Sequence, residues 1–260
     1  MVAKLMNVQR TKRVTTFLCL LMPFFLTPVF AENSVVEKAI SHADRPPKDI
    51  QRDATRKPAE VLSFFEIKPG MHVLENFAGG GYYTQILSYV VGEKGKVVAH
   101  NNQAYLDYAA KELEKRSFGH KFNNVVQMKS ENNQLSLKSD QFDAALFILA
   151  FHDFFLTGSD FDWDPIDPDV ILKEIFQSLK SGAVLGIVDH IAASGSPDSV
   201  GGTLHRIDPQ SVRAWVEKAG FVFDGQAHFL ENTTDDLTLS MGNPKVKGKT
   251  SRFVYRFKKP

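Results

Sequence analysis

The chain has 260 residues, of which 43% are apolar and 23% charged, fractions that are ordinary for a globular protein. This length suits one sizeable domain, and the 21 phenylalanines allow a large core, so an extended disordered chain is excluded. The formal net charge is +1, which gives no sign of the strongly basic surface that is typical of nucleic-acid binding.

The first 31 residues have the three parts of a secretory signal peptide. Four basic residues and no acidic residue precede an apolar run, Phe17–Leu26, and small residues lead up to Ala31. Pro23 and Pro28, and a run shorter than the roughly 18–20 residues needed to cross a bilayer, argue against an uncleaved anchor helix. We therefore predict cleavage after Ala31.

Cleavage after Ala31 would change the chemistry of the remaining chain. The loss of four basic residues leaves 27 basic and 30 acidic residues, a net charge of −3, and it removes Cys19, the single cysteine. The remaining chain then has neither a disulfide nor a thiol nucleophile. We predict a periplasmic or secreted protein with no nucleic-acid partner and no stable insertion in the membrane after cleavage.

Residues 32–66 are predicted to form a helical lid that precedes an α/β core, residues 67–260, within a single domain. The helical pattern is interrupted at Pro46-Pro47 and resumes before a dense cluster of charges. In that cluster Arg52 and Arg56 lie four residues apart and share a helix face. They are candidates for binding a carboxylate of a ligand, and a solvated charged face or a salt-bridged helix is the alternative interpretation.

Five apolar segments alternate with helical patterns along the core. They are predicted to be strands at residues 71–77, 96–100, 125–128, 142–150 and 183–189. The helix before the last of these strands has Asp167 as its predicted N-cap and Gly182 as its predicted end.

The last part of the chain departs from this alternation. Two further strand-like segments, 221–223 and 251–257, have no clear helical pattern between them, which favours an antiparallel pair at one edge. The sequence therefore predicts an α/β fold with a mostly parallel seven-stranded sheet, an antiparallel edge pair and helices on both faces. In such a sheet, ligands bind beyond the carboxyl ends of the strands, where the strand order reverses.

The loop after the first strand is the strongest candidate for a ligand site. It consists of Phe77, Ala78, Gly79, Gly80 and Gly81, and it precedes a predicted helix whose first N–H groups are free. Neither a phosphate-binding loop nor a dinucleotide fingerprint fits, because the Gly-Lys-Ser/Thr ending is missing and a threonine replaces the last glycine of the fingerprint. A tight turn that packs the helix on the strand is the alternative.

The segment Val73-Leu74-Glu75-Asn76-Phe77-Ala78-Gly79-Gly80-Gly81 resembles the first motif of the Rossmann-like S-adenosylmethionine-dependent methyltransferases. Further motifs resemble one branch of that superfamily, the exported bacterial proteins usually called predicted methyltransferases. These motifs are Arg52-Asp53-x-x-Arg56-Lys57-Pro58, Gly79-Gly80-Gly81-Tyr82-Tyr83-Thr84, Phe151-His152-Asp153, Val188-Asp189-His190, Leu204-His205-Arg206-Ile207-Asp208 and Lys249-x-x-Arg252-Phe253. Together they span nearly all of the chain after the signal peptide.

The resemblance implies a Rossmann-like methyltransferase fold with S-adenosylmethionine as cofactor. It places Glu75 near the amino group of the cofactor, and residues 77–81 near its methionine and ribose parts. The end of the second strand normally holds an acid for the ribose hydroxyls. This chain has Asn101 there, which forms hydrogen bonds but has no charge. Asn132 would meet the adenine edge, with a solvated loop as the alternative.

Three residues are predicted to be catalytic because they follow the fourth and fifth strands, where the substrate would lie. His152 is a candidate general base, since the ordinary pKa of histidine is about 6.5, and Asp153 would orient it. His190 closes the fifth strand on the same side and is a second candidate base. A structural hydrogen bond at the strand end is the alternative for His152. No metal site is predicted, because the spacing of these residues matches no metal-binding motif.

The sequence leaves three functions open. The first is an exported methyltransferase that acts on an unknown small molecule. The second is a non-catalytic periplasmic ligand-binding protein on the same scaffold, which is favoured by Asn101 and by the fact that S-adenosylmethionine is made in the cytoplasm. The third is a metal-dependent hydrolase that uses the histidines and acids at the strand ends.

Overall fold

The computed structural model describes residues 29–156, 163 and 165–260, with side chains from residue 35 onward. The predicted signal peptide, residues 1–31, therefore lies outside the described residues except for its last three positions, which belong to the first helix. Every helix within the described ranges is too short or too polar to cross a bilayer. Cleavage after Ala31 and export stay predictions.

Three helices precede the sheet, namely α1 (Val29–Ile40), α2 (Pro47–Arg56) and α3 (Pro58–Phe64). The first part of the α/β core contains β1 (His72–Asn76), α4 (Tyr82–Val91), β2 (Lys96–Asn101), α5 (Gln103–Arg116) and β3 (Val125–Lys129). The second part contains β4 (Phe142–Ile148), a short 3-10 helix (His152–Phe155), α6 (Pro168–Ser178), β5 (Leu179–His190), α7 (Val200–Leu204), α8 (Pro209–Lys218), β6 (Val222–Ala227) and β7 (Arg252–Lys258).

The seven strands form one sheet in the order β3-β2-β1-β4-β5-β7-β6. Strands β1 to β5 pair in parallel, whereas β7 is antiparallel to both β5 and β6. The predicted fold class, including the antiparallel edge pair, is confirmed. The chain runs outward from β1 through β2 to β3 and then returns to β4 beside β1, so the strand order reverses between β1 and β4. That point is where an α/β sheet of this kind binds ligands.

Each strand buries alternate side chains against helices on opposite faces of the sheet, because successive side chains of a strand point to opposite sides. On β1, Leu74 belongs to the core that contains Ile171 of α6 and Val212 of α8. Its neighbour Val73 belongs to a second core, with Ile86 of α4. The two cores confirm helices on both faces, and they explain why β4 is an almost continuous apolar run.

One predicted boundary is wrong. Helix α6 ends at Ser178 rather than at Gly182, and β5 begins at once. Gly182 lies inside β5 with a φ of +78°, in an irregular segment where the register against β4 shifts between Phe142 and Ala144. A glycine with a left-handed backbone serves a bulge as well as a helix end, so the residue type alone does not distinguish them.

Candidate active site

The glycine loop, Phe77–Gly81, joins β1 to α4 at the point where the strand order reverses. Its backbone is left-handed at Phe77, Gly79 and Gly81, with φ angles of +50°, +56° and +79°. The backbone N–H of Gly79 donates to Asn101 Oδ1 at 2.9 Å, and Asn101 Nδ2 donates back to the Gly79 carbonyl at 3.2 Å. The loop is therefore held in one conformation by the end of β2 and is not a flexible turn.

Close packing by α5 explains part of the glycine requirement. A Cβ on Gly80 would lie 2.9 Å from the Cβ of Glu112, and one on Gly81 would lie 2.4 Å from the Phe118 ring, just beyond α5. A Cβ on Gly79 would meet only ordinary contacts with Tyr105, at 3.8 Å or more. The tight-turn interpretation therefore holds for the second and third glycines. At Gly79 the positive φ, and not a lack of space, favours glycine.

Glu75 lies near the end of β1, directly before this loop, and only 3% of it is exposed. The hydroxyl of Thr84, in the first turn of α4, donates to Glu75 Oε2 at 2.6 Å. Burial raises the pKa of Glu75 to about 7, against the smaller opposing effects of this hydrogen bond and of Arg116. The carboxyl group is thus poised to ionise near neutral pH, which suits a residue that faces a positively charged ligand group.

Four buried polar atoms near the carboxyl ends of the strands have no hydrogen-bond partner within the described part of the chain. They are Asn76 Oδ1, His100 Nδ1, Ser130 Oγ and Trp163 Nε1. Buried polar atoms are nearly always paired in native proteins. The first three belong to or directly follow β1, β2 and β3, and Trp163 lies 5.9 Å, ring centre to ring centre, from Phe77 of the glycine loop. Their common location indicates a site for a ligand with several hydrogen-bonding groups.

Asn132 lies beside this row of atoms. Asn102 Nδ2 donates to Asn132 Oδ1 at 2.7 Å, while Asn102 Oδ1 accepts from the N–H of Tyr105 and so caps α5. Asn132 is 1% exposed. The side chain is therefore part of a buried polar network, and the alternative of a solvated loop does not apply to it.

The predicted catalytic residues meet at the carboxyl ends of β4 and β5, whereas the glycine loop follows β1 on the opposite side of β4. Asp189, near the end of β5, accepts from His152 Nδ1 at 2.7 Å and from the backbone N–H of His152 at 2.9 Å. The second ring nitrogen of His152 faces Asp153 Oδ1 at 3.2 Å, and His205 Nδ1 lies 3.6 Å from the same oxygen. Tyr105 donates its hydroxyl to the other oxygen of Asp153.

The two carboxylates fix the protonation of His152. Burial alone lowers the pKa of this imidazole, but Asp153 and Asp189 outweigh that effect and raise the pKa well above 6.5. The two carboxylates therefore favour the imidazolium form of His152, in which both ring nitrogens donate. A cation of this kind orients and stabilises negative charge, but it does not accept a proton at neutral pH.

His190 has the opposite environment. Burial lowers its pKa well below 6.5, and the positive charges of His152 and Arg252 act in the same direction. Nδ1 of His190 shares a 2.7 Å hydrogen bond with Thr250 Oγ1, and Nε2 has no hydrogen-bond partner among the described residues. Of the two predicted bases, His190 is the one whose geometry leaves a nitrogen available to accept a proton.

Helix α2 contacts the start of α4 through buried charges. Arg45, with a side chain 1% exposed, donates to both carboxylate oxygens of Asp53 at 2.6 and 2.7 Å, and Tyr82 also donates its hydroxyl to Asp53. Arg116 of α5 donates to Asp49 and to the carbonyl of Gly80. These buried charges hold the predicted lid against the glycine loop. Arg52, whose side chain is 44% exposed, lies 3.3 Å from Asp49 of the same helix, so the alternative of a salt-bridged helix describes this predicted residue.

Two arginines near this contact have no carboxylate within ion-pair distance among the described residues. The guanidinium of Arg56 lies 4.7 Å above the Tyr82 ring, and burial, with the nearby charge of Arg52, lowers its pKa to about 10. Arg252 donates to the Thr55 carbonyl at 2.6 Å and is 8% exposed. Arg56 is half-buried and Arg252 is buried, and cations that are shielded from water without a counter-ion favour an anionic group of a ligand at this position.

Arg206, by contrast, is a structural residue. Its side chain is fully buried and donates to both oxygens of Asp235, at 2.8 and 3.0 Å, and to the carbonyls of Ile191 and Leu239. Asp235 also accepts from the backbone N–H of Ser251. This network holds residues 228–251, a connection without helix or strand between β6 and β7, against the end of β5.

One large cavity lies away from these residues. It measures about 1320 Å³ and is lined by residues such as His72, Lys96 and Asn124, which stand at the amino ends of β1, β2 and β3. A smaller cavity of about 220 Å³ is lined by Ala78, Asn101 and residues of β2, β3, α4 and α5. We assign the ligand site to the carboxyl ends, because the unpaired polar atoms, Glu75 and the glycine loop are located there.

Comparison with known proteins agrees with this architecture. The family model of the protein-L-isoaspartate(D-aspartate) O-methyltransferases matches residues 35–141, less than half of the chain. A search of curated proteins finds no match. A solved structure of an S-adenosylmethionine-dependent methyltransferase from Aquifex aeolicus is 25% identical, with a TM-score of 0.57, over 86% of this chain and 97% of that one. The chain has the Rossmann-like methyltransferase fold.

Two other solved structures share this methyltransferase fold at lower identity. The [4+2]-cyclase SpnF is 18% identical, with a TM-score of 0.54, over 81% of this chain and 83% of that one. Fibrillarin from Aeropyrum pernix, solved with natively bound S-adenosylmethionine, is 10% identical, with a TM-score of 0.50, over 79% and 76% of the two chains. At these identities the likeness concerns the fold alone.

The methyltransferase fold brings the predicted site residues into two groups. Glu75, the glycine loop, Asn101 and Asn132 lie around the carboxyl ends of β1 to β3, and His152, Asp153 and His190 lie around those of β4 and β5. Sequence reasoning missed Tyr105 and Thr250, which contact Asp153 and His190. Tyr105 lies in a helical segment and Thr250 in a polar one, so neither residue gives a signal in the sequence.

Proposed function

We propose that this protein is an exported S-adenosylmethionine-dependent methyltransferase that acts on a small molecule. The observation that carries the proposal is the fixed, left-handed glycine loop at the reversal of strand order, with Glu75 on one side and unpaired buried polar atoms on the other. The family match to residues 35–141 supports the cofactor half of the proposal, because those residues contain the loop and β1 to β3. The match does not extend to His152 or His190, so it gives no information about the substrate.

The residues present fit the cofactor. Its ammonium group would lie by Glu75, whose carboxyl group ionises near neutrality. Arg56 and Arg252 supply unpaired positive charge for a carboxylate. Asn132 and the unpaired His100 Nδ1 suit the adenine base. When bound, S-adenosylmethionine supplies an electrophilic methyl group on its sulfonium.

The chain itself would contribute alignment of the substrate and transfer of a proton. A hydroxyl or amine nucleophile loses a proton as it is methylated, and the unpaired Nε2 of His190 is placed to accept it. Thr250 fixes the ring of His190 through Nδ1. Both ring nitrogens of His152 are engaged by Asp189 and Asp153, so His152 would hold these carboxylates in place and not act as the base, which differs from the role that the sequence predicts for it.

Cofactor binding is tested by calorimetric titration with S-adenosylmethionine and S-adenosylhomocysteine. We expect both to bind, and adenosine to bind more weakly because it lacks the ammonium and carboxylate groups. Arg56→Gln should bring S-adenosylhomocysteine closer to adenosine in affinity and leave adenosine unchanged. The absence of heat at high micromolar concentrations of both cofactors would contradict the proposal.

Export is supported by the basic start, the apolar run Phe17–Leu26 and the small residues before Ala31. Expression of the full chain in a bacterium, followed by fractionation and mass spectrometry, tests it. A protein in the periplasmic or secreted fraction that begins at Glu32 is the expected result. An intact N-terminus in the cytoplasmic fraction would contradict it.

A second candidate function is ligand binding without methyl transfer, and one observation favours it. Both polar atoms of the Asn101 side chain are engaged with Gly79, so the residue at the position of the usual ribose-binding acid is occupied by the protein itself. Under this alternative S-adenosylmethionine binds, but no S-adenosylhomocysteine is formed with any of a panel of hydroxyl, amine and carboxylate acceptors. Formation of S-adenosylhomocysteine that depends on an acceptor excludes the alternative.

A further inference from the structure

We propose that His152, Asp153 and His205 bind a divalent transition-metal ion, with Asp189 as the carboxylate that orients His152. Ligand atoms of the three residues all lie within 4.8 Å of one another. Neither the fold nor the predicted spacing of histidines points to such a site. The proposal does not rest on methyl transfer, because it concerns the other group of residues, around β4 and β5.

The distances suit a metal ion. Asp153 Oδ1 lies 3.2 Å from His152 Nε2 and 3.6 Å from His205 Nδ1. Ligand atoms bound at 2.0–2.1 Å to a tetrahedral zinc ion lie about 3.3 Å from each other. Small adjustments of the partly exposed His205 ring would therefore bring all three atoms into coordination.

Residues next to the candidate ligands orient them through hydrogen bonds, as is usual in metal sites. Metal-bound histidines usually donate their second ring nitrogen to a carboxylate, which fixes the orientation of the ring. His152 does so through Nδ1 to Asp189, whose two oxygens also accept the backbone N–H groups of His152 and His190 at 2.9 and 2.7 Å. Asp153 is oriented in turn by the hydroxyl of Tyr105. These hydrogen bonds fix the orientation of His152 and Asp153, two of the three candidate ligands.

The backbone also brings His205 to this point. A Cβ on Gly201, in α7, would lie 2.4 Å from the carbonyl oxygen of His152, so only glycine allows α7 to pack this closely on the 3-10 helix. Helix α7 ends at Leu204, and the next residue, His205, has a left-handed backbone with a φ of +51°. This turn places an imidazole from a distant part of the chain next to Asp153.

The charge and the exposure of this cluster also suit a divalent metal ion. The two carboxylates, Asp153 and Asp189, are 6% and 0% exposed, and a divalent cation matches their combined charge. The side chain of His205 is 33% exposed, so the cluster is open on that side. Three protein ligands with one open position are typical of catalytic metal sites. A ligand set of two imidazoles and one carboxylate favours zinc, iron and similar transition metals over calcium or magnesium.

The test is a calorimetric titration of the metal-free full chain with Zn²⁺. We expect one ion per chain, and binding weakened at least about tenfold in His205→Ala. The partly exposed position of His205 allows this variant to fold, which circular dichroism checks. The matched control is His228→Ala, whose side chain is 62% exposed and pairs with Glu231 between β6 and β7. It should bind Zn²⁺ like the wild type.

The variant Asp189→Asn provides a second test, because it keeps all three candidate ligands and removes only the negative charge that orients His152. We expect a loss of about 10- to 100-fold in Zn²⁺ affinity. The visible spectrum of the Co²⁺-loaded protein should change in His205→Ala and stay the same in His228→Ala. No binding of Zn²⁺ by the wild type, or equal binding by the wild type and His205→Ala, would overturn the proposal.

Discussion

Replacing Glu75 by glutamine tests the environment of the cofactor site in the absence of any ligand. The carboxyl group is buried, and burial raises its pKa from the ordinary 4.5 to about 7. The folded protein therefore holds a proton between these two values that the unfolded chain has released. Stability consequently falls as the pH rises from about 4.5 to about 7, and the loss is complete above the folded pKa.

The magnitude follows from the size of the shift, at about 1.4 kcal/mol for each pH unit. The wild type should lose about 3 kcal/mol in full, most of it between about pH 5 and about pH 8. Glutamine has no such titration, and its amide oxygen can still accept the hydrogen bond from Thr84. The difference in unfolding free energy between Glu75→Gln and the wild type should therefore change by about that amount, in favour of the variant at high pH.

Urea denaturation at a series of pH values measures this difference, with tryptophan fluorescence as the signal. The change with pH is the informative quantity, because a constant offset from imperfect pairing of the new amide cancels. Parallel pH profiles for the two proteins would refute the reasoning, since they would mean that Glu75 ionises in the folded state as easily as in the unfolded chain. With S-adenosylmethionine present, the pH dependence of the wild type should weaken, because a nearby cation favours the carboxylate.

Three further predictions concern the loop, the lid and the β6–β7 connection. Gly80→Val should abolish binding of S-adenosylhomocysteine in calorimetry while the circular dichroism spectrum stays native, and surviving binding would show that the glycine loop is not the site. Asp53→Asn leaves Arg45 buried without its counter-ion and should cost about 3 kcal/mol in urea denaturation, whereas an unchanged midpoint would show that the pair does not hold the lid. Asp235→Asn should cost about 3 kcal/mol for the same reason, through Arg206, and a loss below about 1 kcal/mol would contradict a structural role.

The sheet could be predicted because its central strands are buried on both faces. The run 142–150 then has a single polar interruption, Asp143, and the alternation of strands with helices indicates a parallel order. The predicted cap Asp167 is also confirmed, and it accepts from the backbone N–H of Asp169 at 2.9 Å. The sequence wrongly predicts Gly182 as the end of α6, because a bulge and a helix end both favour a glycine with a positive φ.

The candidate site could be predicted only in part, because its chemistry depends on contacts between distant segments. His152 and Asp153 were found from their position after β4. The state of His152 depends on Asp189, which is 37 residues away and adjacent only because β4 and β5 pair. The engagement of Asn101 with Gly79 likewise requires the pairing of β1 with β2.

The order of the strands has a consequence for motion. The sheet ends at β3 and β6, whose residues are mostly exposed or half-buried, and edges of this kind open most easily. The strands that hold Glu75 and His190, β1 and β5, are each flanked by two others, and β7 lies inside β6 although it follows it in sequence. Fraying at either edge therefore leaves both groups of site residues in place. Amide hydrogen exchange should accordingly be fast in β3 and β6, and slow in β1 and β5.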